Sequence, residues 1–576
     1  MGLTRFRFPV LIILAFEFVK LVSAAPTLRL AATTVGPISV APGSSPTPQK
    51  VEAYNAGDGS LALTLASSVS WMSATVGAPG PCTTTSASKS CIPLQIVFAT
   101  SSLAASSKPI TGILTVNGDA STVDAPQTIT VTLQVGGGVP SSVNVYVAPG
   151  SSSDTIFYTN SPMSGQASTQ DGFKWLTLTA GGSGSFQFVI PYSVHVAPQG
   201  GNPAGGTFTG SLVTSGSTFA ADNKIIPVTM RVTTEAIAQP TASQLTVRLA
   251  EGAPPLAPPF SPSVGLINVG QGTLVAQPAT VSGGSWITAS AGALAFDPTG
   301  LSPGDNTGSI TLASNAVNGA ITVPVDFQVV AKGPPLLYYQ GVQDNATFVP
   351  GDPVAPGDVM VVKGEQLSFS GFTPASGVPV ATQLADTSVL VNGVAAPIFY
   401  SSYSQISFQM PFNTPTGLAV VQVERTDGAS SNKVSVNVAA RAPKLLLIGV
   451  GQYGAILNQD NSLPLPSTGT YGKYATHPAR IGDTLTIYAI GLGPTTPSAT
   501  TGAPAPYAPL NVMPTLNFGG GIAGILAKPS YAGFSPNSVG LYQINVTIPP
   551  NTPKGTVNLS LVFPDSVSNS VQLAVQ

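Results

Sequence analysis

The stretch LYQINVTIPPNTPKG, Leu541–Gly555, decides the fold class of this 576-residue chain. Its first half alternates apolar and polar side chains, as a half-buried β-strand does, and the Asn-Thr-Pro and Gly that follow favour turn geometries. A second stretch, SQISFQMPFNTPTG at Ser404–Gly417, repeats this pattern 138 positions upstream, counted from Gln405 to Gln543. The two copies predict two related β domains at the C-terminus.

The composition supports an all-β chain and excludes some functions. Only 8% of residues are charged and the net charge is −2, which argues against the clustered basic surface that nucleic-acid binding needs. A hydrophobic share of 43% argues against a disordered chain. Many Gly (61) and Pro (54) residues, together with abundant Thr and Val, predict short strands joined by turns.

A longer repeat fills the N-terminal half and contains all three tryptophans, Trp71, Trp175 and Trp286. Thr-Gly pairs recur at a spacing of 98 residues, at Thr111-Gly112, Thr209-Gly210 and Thr307-Gly308. Closing strands recur at a spacing of 97 residues, at 131–135, 228–232 and 325–329. A period near 100 residues with many short strands predicts tandem β-sandwiches.

These repeats predict an all-β fold, with tandem immunoglobulin-like β-sandwiches in an elongated multidomain chain. A chain of this length is expected to divide into several domains. The predicted segments are a signal peptide at 1–24, β-sandwiches at 27–136, 140–233 and 240–331, and a C-terminal immunoglobulin-like module with halves at 337–440 and 441–576.

The third N-terminal repeat carries a family pattern. Asn268-x-Gly270-x-Gly272 precedes Trp286, and DPTGLSPGDNTGSITL follows at 297–312. This pattern resembles BACON-like immunoglobulin-type domains of secreted bacterial proteins, and the resemblance extends over roughly 27–331. It implies a β-sandwich, and a carbohydrate-binding role has been suggested for that family.

The C-terminal region carries a second family pattern, in the segments 355–367, 389–411, 477–494 and 540–555. These segments resemble the uncharacterised Solibacter-type C-terminal domain of exported acidobacterial proteins. That family has no assigned activity, so the resemblance implies a compartment and an architecture alone. The Pro-, Thr- and Ala-rich segment 493–514 predicts a surface loop of the kind that can carry function.

The first residues predict export. Arg5 and Arg7 precede an apolar run at 8–16, and Val22-Ser23-Ala24 resembles a cleavage site, which together are typical of a secretory signal peptide. The alternative, a membrane anchor, needs a run of roughly 20 apolar residues, and no stretch of the sequence is that long. We therefore expect a secreted or cell-surface protein without a transmembrane segment, starting near Ala25.

The two cysteines, Cys82 and Cys91, flank a Ser/Thr-rich loop and lie nine positions apart. In an exported protein such a pair predicts a disulfide. The alternatives are two free thiols or a metal site, for which companion ligands are missing.

The sequence offers few catalytic groups. His195 lies in an alternating, strand-like run, and His477 precedes Pro478 in a turn. No G-x-S-x-G motif is present, most acids lie in turn contexts, and no D-x-D-x-D-G calcium loop occurs. The sequence therefore predicts no enzyme, no cofactor and no metal site.

The tryptophans allow two interpretations. A tryptophan repeated at one strand position in each sandwich is more often a core residue, whereas exposed indoles could stack on sugar rings. The tyrosines of the C-terminal half are ambiguous in the same way, and they are Tyr400, Tyr403, Tyr471, Tyr474 and Tyr542.

The predicted function is structural or adhesive, at the cell surface or outside the cell. The alternative is carbohydrate binding through the BACON-like domains, with Trp71, Trp175 and Trp286 as candidate stacking residues. A polysaccharide or other cell-surface proteins are the predicted partners, and nucleic acid is not among them.

Overall fold

The structure is a computed structural model, and it is described here for residues 25–103, 109–136, 138–159, 162–181, 190–199, 205–217, 220–290, 293–449, 451–521 and 524–576. About half of the residues lie in strands and about 1% in helix, which confirms the predicted all-β class and the tandem immunoglobulin-like sandwiches. The predicted signal peptide at 1–24 lies outside the described residues.

The three N-terminal sandwiches take up the strands from β1 to β24. The strands of the first are β1 (Leu28–Leu30), β2 (Thr34–Val40), β3 (Gln49–Asn55), β4 (Leu63–Ser67), β5 (Met72–Val76), β6 (Gly80–Pro81), β7 (Ser90–Phe98), β8 (Ile110–Gly118) and β9 (Gln127–Val135). Those of the second are β10 (Val143–Val147), β11 (Ser153–Thr159), β12 (Ser164–Thr169), β13 (Leu176–Ala180), β14 (Ile190–Val196), β15 (Gly206–Ser215) and β16 (Ile225–Val232), with a short 3-10 helix at Ala220–Asp222. Those of the third are β17 (Ala238–Pro240), β18 (Leu245–Ala250), β19 (Leu266–Asn268), β20 (Thr280–Ser282), β21 (Ile287–Ser290), β22 (Ala293–Phe296), β23 (Gly304–Leu312) and β24 (Ile321–Val330).

Two C-terminal sandwiches contain the remaining strands. Those of the fourth are β25 (Leu336–Asp344), β26 (Val359–Glu365), β27 (Thr373–Pro374), β28 (Gln383–Leu384), β29 (Thr387–Val391), β30 (Val394–Ala396), β31 (Ile398–Ser401), β32 (Gln405–Gln409), β33 (Gly417–Arg425) and β34 (Val434–Val438). Those of the fifth are β35 (Lys444–Leu445), β36 (Ile456–Leu457), β37 (Gly469–Tyr471), β38 (Tyr474–Thr476), β39 (Thr484–Ile490), β40 (Thr515–Phe518), β41 (Ile525–Ala527), β42 (Tyr531–Phe534), β43 (Tyr542–Thr547), β44 (Gly555–Val562) and β45 (Val571–Val575).

The sandwiches share one plan. In each N-terminal sandwich an early strand runs parallel to the last strand, as β2 with β9, β10 with β16 and β18 with β24. Most other neighbours are antiparallel, for example in the sheet β18-β24-β23-β20. The fourth and fifth sandwiches keep isolated parallel bridges onto their last strands, from Val354 to Val438 in the fourth and from Tyr453 to Gln572 and Ala479 to Val575 in the fifth. The recurring closing strands of the sequence are therefore central to each sandwich.

Strand alternation builds the cores. On β24 the side chains of Val323, Val325, Phe327 and Val329 are buried, and the residues between them are more exposed. This period of two matches a strand with one face on a core. Within the described residues, buried apolar side chains gather in five clusters, one in each sandwich.

The fifth sandwich is built from two main sheets. One has the order β35-β39-β43-β42, and the other has the order β41-β40-β44-β45. The LYQINVTIPPNTPKG stretch supplies β43, the turn after it and the start of β44, so it connects the two sheets. The matching stretch in the fourth sandwich connects β32 to β33 in the same way.

Candidate functional site

The three tryptophans lie in the cores of their sandwiches. Their exposed fractions are 8% for Trp71, 1% for Trp175 and 6% for Trp286. The Trp175 Nε1–H donates to both carboxylate oxygens of Asp171 at 3.1 Å, and the Trp286 Nε1–H donates to the Gly283 carbonyl at 2.8 Å. Burial weakens the alternative that they act as stacking residues, because a buried indole presents no face to a sugar.

Each indole packs against the glycine of the recurring Thr-Gly pair. A Cβ at Gly112, Gly210 or Gly308 would lie 3.0–3.3 Å from the ring of the tryptophan in the same sandwich. These glycines therefore make room for the ring as it crosses the neighbouring strand. The sequence showed both repeats, but it carried no signal that the two residues touch.

The two cysteines form a disulfide with an S–S distance of 2.01 Å, and Cys91 is buried. The loop that they close is held by Glu52, whose buried carboxylate accepts hydrogen bonds from the backbone N–H and the hydroxyl of both Thr83 and Thr84. These hydrogen bonds hold the pKa of Glu52 far below its usual range. The carboxylate therefore contributes stability at neutral pH that is lost as the pH falls into the acid range. Sequence reasoning did not single out Glu52.

The two histidines occupy different settings. His195 lies on the surface of β14, and its Nδ1 is 3.1 Å from Asp154 Oδ1 on the neighbouring strand. His477 follows β38 and lines an open cleft. The other side chains that line this cleft are Asn458, Gln459, Asp460, Arg480 and Asp483.

The His477 ring takes part in a network with a serine and an aspartate. Its Nε2 lies 2.8 Å from Ser462 Oγ and 2.9 Å from Asp460 Oδ2, and its Nδ1 lies 2.8 Å from the Pro478 carbonyl oxygen. The Ser462 hydroxyl donates to Asp460 Oδ1 at 2.6 Å. A carbonyl can only accept, so Nδ1 carries a proton.

This network differs from a Ser-His-Asp triad. In a triad the serine and the acid contact opposite nitrogens of the ring, whereas here both contact Nε2. The hydroxyl proton of Ser462 is directed at Asp460, and Ser462 is buried. The hydrogen bond to Asp460 raises the pKa of His477, and the hydrogen bonds from Ser462 and then His477 lower the pKa of Asp460, so the pair favours an imidazolium and a carboxylate. An imidazolium has no free nitrogen with which to accept a proton.

Among the described residues, three further points bear on function, namely metal ligands, the second carboxylate of the cleft and membrane-spanning helices. No group of three or more His, Cys, Asp or Glu side chains there is placed to hold a metal ion. The second carboxylate of the cleft, Asp483, accepts the backbone N–H of Arg480 at 2.9 Å. No helix among the described residues is long and apolar enough to span a membrane.

The tyrosines of the C-terminal half separate into three settings. Tyr403 and Tyr542 are buried. Tyr471 and Tyr474 pair across the β37–β38 hairpin and are partly exposed. The Tyr400 ring joins two others in a small aromatic cluster whose three ring pairs are 5.5–5.9 Å apart and tilted by 44–51°. Such tilted rings, which are those of Phe260, Phe372 and Tyr400, do not form a flat surface.

Comparisons with known proteins give the fold alone. No family model and no curated protein matches the chain, so the BACON-like and Solibacter-type resemblances stay predictions. Similar solved structures include SGBP-B of a Bacteroides ovatus mixed-linkage glucan utilization locus in complex with a mixed-linkage heptasaccharide, at 13% identity over 58% of this chain and 67% of that chain, with a TM-score of 0.21.

Two further similar solved structures align with larger shares of this chain. The human desmocollin-1 ectodomain is 12% identical over 72% of this chain and 79% of its own, with a TM-score of 0.15. Immunoglobulin domains 1–5 of Sidekick-1 are 11% identical over 96% of this chain and 99% of theirs, with a TM-score of 0.16. At these identities and TM-scores the likeness says nothing about what this chain binds.

The contact between tryptophan and glycine predicts the effect of a single methyl group. In Gly308→Ala the new Cβ would lie 2.4 Å from the Ser282 carbonyl oxygen and 3.0 Å from the Trp286 ring. We expect a loss of about 1–3 kcal/mol in the unfolding free energy of the third sandwich, as in other overpacked cores. Denaturant unfolding followed by Trp286 fluorescence, with Trp71 and Trp175 replaced by phenylalanine, measures it.

The matched control is Gly265→Ala in the same sandwich. A Cβ there meets no atom within 4 Å, and the residue has no positive φ. Its unfolding free energy is expected to change by less than about 0.5 kcal/mol. Equal losses in the two variants would contradict the proposed contact.

The network around His477 predicts a pH dependence. In Asp460→Asn the pKa of His477 should fall toward its ordinary value of about 6.5, because the charged acceptor is removed. A group with a raised pKa stabilises the folded state below its unfolded pKa, and the stabilisation is lost as the pH rises through the folded pKa. NMR titration of the His477 ring protons measures the shift, and His195 is the internal control. An unchanged pKa of His477 would show that Asp460 does not hold the ring.

Proposed function

We propose that this chain is an exported, non-enzymatic protein with a structural or adhesive role at the cell surface or outside the cell. The observation that carries the proposal is a buried polar contact between the first and the fourth sandwich. The residues that form it are as much as 311 positions apart. A protein that holds its modules in fixed relation needs contacts of this kind.

The contact extends a sheet edge of the fourth sandwich. Val123 forms a parallel bridge with Lys433, and the Asp124 N–H donates to the Lys433 carbonyl at 2.9 Å. The Asp124 carboxylate accepts the backbone N–H and the hydroxyl of Ser435, each at 2.6 Å. Asn432 Nδ2 donates to the Ala125 carbonyl at 2.9 Å. Residues 123–125 therefore act as a short added strand beside β34.

The buried charge makes this contact specific. Asp124 is 2% exposed and is paired with Arg29 from its own sandwich. Burial of a carboxylate costs free energy unless the group is paired and hydrogen-bonded. If the two sandwiches moved apart, Asp124 would lose the two hydrogen bonds from Ser435. The geometry thus favours one arrangement over others nearby.

The third and fourth sandwiches are joined by a side chain that crosses the boundary. Tyr403 of the fourth sandwich packs in the core of the third, where its hydroxyl oxygen accepts the Ala250 N–H at 2.7 Å. The buried Arg425 donates to the carbonyl oxygens of Gln366 and Gly333, which fixes the segment that leads out of the third sandwich.

The fourth and fifth sandwiches share backbone hydrogen bonds and aromatic packing. The Val380 N–H donates to the Gly502 carbonyl at 2.7 Å, and the Gly502 N–H donates to Gln409 Oε1 at 2.7 Å. The rings of Phe412 and Phe534 meet edge to face at 5.7 Å. Apolar packing combined with hydrogen bonds gives a boundary that resists bending, which supports a structural role.

The non-enzymatic part of the proposal is supported by the state of the His477 network. Both ring nitrogens are engaged, and the Ser462 hydroxyl is committed to Asp460.

Burial of Trp71, Trp175 and Trp286 weakens the alternative of carbohydrate binding through the N-terminal sandwiches, since it removes the stacking faces which that alternative requires.

Removal of the buried carboxylate tests the fixed arrangement. Asp124→Ala leaves the Ser435 N–H without its acceptor, and we expect the contact to lose about 1–3 kcal/mol. The first sandwich should then separate from the fourth, which small-angle X-ray scattering detects as a larger radius of gyration. The control Asp305→Ala changes an exposed side chain of the third sandwich and should leave the scattering unchanged. An identical profile for Asp124→Ala and the unsubstituted protein would contradict a fixed arrangement held by this contact.

Export is tested with the complete chain, including residues 1–24, expressed in a bacterial host. We expect the protein outside the cytoplasm, with a mature N-terminus near Ala25, because the sequence there resembles a signal-peptide cleavage site. Edman sequencing of the exported fraction measures the N-terminus. Retention of an uncleaved chain in the cytoplasm would contradict the proposed location.

A further inference from the structure

We propose that the outer face of the β39–β43–β42 sheet in the fifth sandwich binds a neutral polysaccharide chain, with Tyr507 as its stacking platform. This inference does not rest on the structural role proposed above, because a rigid scaffold needs no ligand. It concerns residues outside the BACON-like region and outside the cleft of His477.

The platform is a stacked pair of tyrosines. The ring centroids of Tyr507 and Tyr531 are 4.8 Å apart and the planes are inclined by 21°. Tyr531 is 8% exposed, whereas Tyr507 is 67% exposed. Since Tyr531 covers one face of the Tyr507 ring, the opposite face must provide much of the exposed surface. A large aromatic face open to water is what a pyranose ring stacks on through its C–H groups.

The backbone around Tyr507 holds this ring in place. The residues that follow it run along β42, where the Phe534 N–H donates to the Ala508 carbonyl at 3.1 Å and the Leu510 N–H donates to the Ala532 carbonyl at 2.9 Å. The Tyr531 hydroxyl beneath the platform donates to the Phe534 carbonyl at 2.7 Å. A ligand would meet a ring that is already ordered, which lowers the entropic cost of binding.

A row of polar side chains lies beside the platform on the same face. Asn545 is directly opposite Tyr531 in the antiparallel pair β42–β43, and Tyr488 is directly opposite Gln543 in the pair β39–β43. Side chains at opposite positions lie on one face of a sheet. These are two adjacent rows on the same face, so the third ring, Tyr488, lies about 10 Å across the strands and about 7 Å along them from Tyr531.

The amides have hydrogen-bonding capacity to spare. Gln543 Nε2 donates to Asn545 Oδ1 at 2.9 Å. Among the described residues, the two amide side chains make no other hydrogen bond. An amide side chain offers two N–H donors and one carbonyl acceptor, so donors and an acceptor remain for the hydroxyl groups of a ligand. Aromatic faces that alternate with amides suit a chain of sugars, in which apolar ring faces alternate with hydroxyls.

The charge of the face decides the class of polysaccharide. The outward residues on the three strands are uncharged, and they are Thr484, Thr486, Tyr488, Tyr531, Gly533, Gln543, Asn545 and Thr547. An acidic polysaccharide would need a cation here, and a basic one would need a carboxylate. A neutral chain is the ligand that this face complements.

The repeat in the fourth sandwich shows that the accessible face is not a general property of the fold. At the position that matches Asn545 the fourth sandwich has Ser407, which is 1% exposed and donates to the Met360 carbonyl at 3.0 Å. The next outward residue there, Gln409, is fully buried. Two related strands thus differ in the accessibility of the same face, and the accessible copy is the one beside Tyr507.

The test is native gel electrophoresis of residues 25–576 in gels that contain a neutral polymer, namely hydroxyethylcellulose, glucomannan or galactomannan. We expect at least one of the three to retard the protein. Tyr507→Ala should weaken the retardation by about tenfold or more in apparent affinity, as the loss of a central aromatic contact does elsewhere. The matched control is Tyr474→Ala, which removes a partly exposed tyrosine of the same sandwich and should bind as the unsubstituted chain does.

A second variant separates loss of the site from loss of folding. Asn545→Leu keeps the tyrosine stack and removes an amide, and it should also weaken retardation while the thermal unfolding temperature stays close to that of the unsubstituted chain. Absence of retardation in all three neutral polymers would overturn the proposal. So would equal weakening by Tyr507→Ala and Tyr474→Ala, or retardation only in a fourth gel that contains the acidic polymer polygalacturonate.

Discussion

A charged group that is buried needs hydrogen-bond or ion-pair partners. In this protein several such groups lie where separate segments of the chain meet. Only 8% of the residues are charged, yet several of the buried ones lie where one part of the chain meets another. Glu52 holds the disulfide loop, Asp124 joins the first sandwich to the fourth, and Arg425 fixes the segment between the third and fourth. Asp358 is fully buried beside Gly491, where the fourth sandwich meets the fifth. Burial raises its pKa well above the usual value, so it favours the neutral acid, and it accepts one hydrogen bond from the Ala355 N–H. Because Asp124, Arg425 and Asp358 tolerate few alternative surroundings, they restrict how the modules can be arranged, whereas Glu52 acts within the first sandwich.

Inside each N-terminal sandwich the recurring contact is between a tryptophan ring and a glycine. A large indole fills the space between two sheets, and a glycine on the crossing strand lets it approach. The pairing recurs in three sandwiches whose other residues have diverged. Packing at that point is therefore less free to vary than packing at the strand surfaces, since neither a smaller ring nor a larger neighbour would fill the same volume.

The sequence predicted what is local and periodic. Alternation over Leu541–Gly555, which has a period of two residues, predicted β43 and the turn into β44. The recurrence of Trp and Thr-Gly, which has a period of about 100 residues, predicted the three N-terminal sandwiches. Contacts between Asp124 and Ser435 leave no local pattern, since the residues are 311 positions apart. Burial of the tryptophans was the more frequent of the two interpretations, because a large indole repeated at one strand position usually fills a sandwich core. The stack of Tyr507 on Tyr531 could not be foreseen, because the path of the 493–514 loop depends on tertiary pairing with β42.

The bridge between residues 123–125 and β34 changes how the chain would carry a mechanical load. The covalent path from the first sandwich to the fourth passes through the second and third, but the bridge connects the first and fourth directly. Tension applied between the two ends of the chain would therefore cross Asp124 and bypass the second sandwich and the third, which Tyr403 holds against the fourth. They would take up force only after the bridge parts, and the chain would then lengthen in one step without the unfolding of any sandwich.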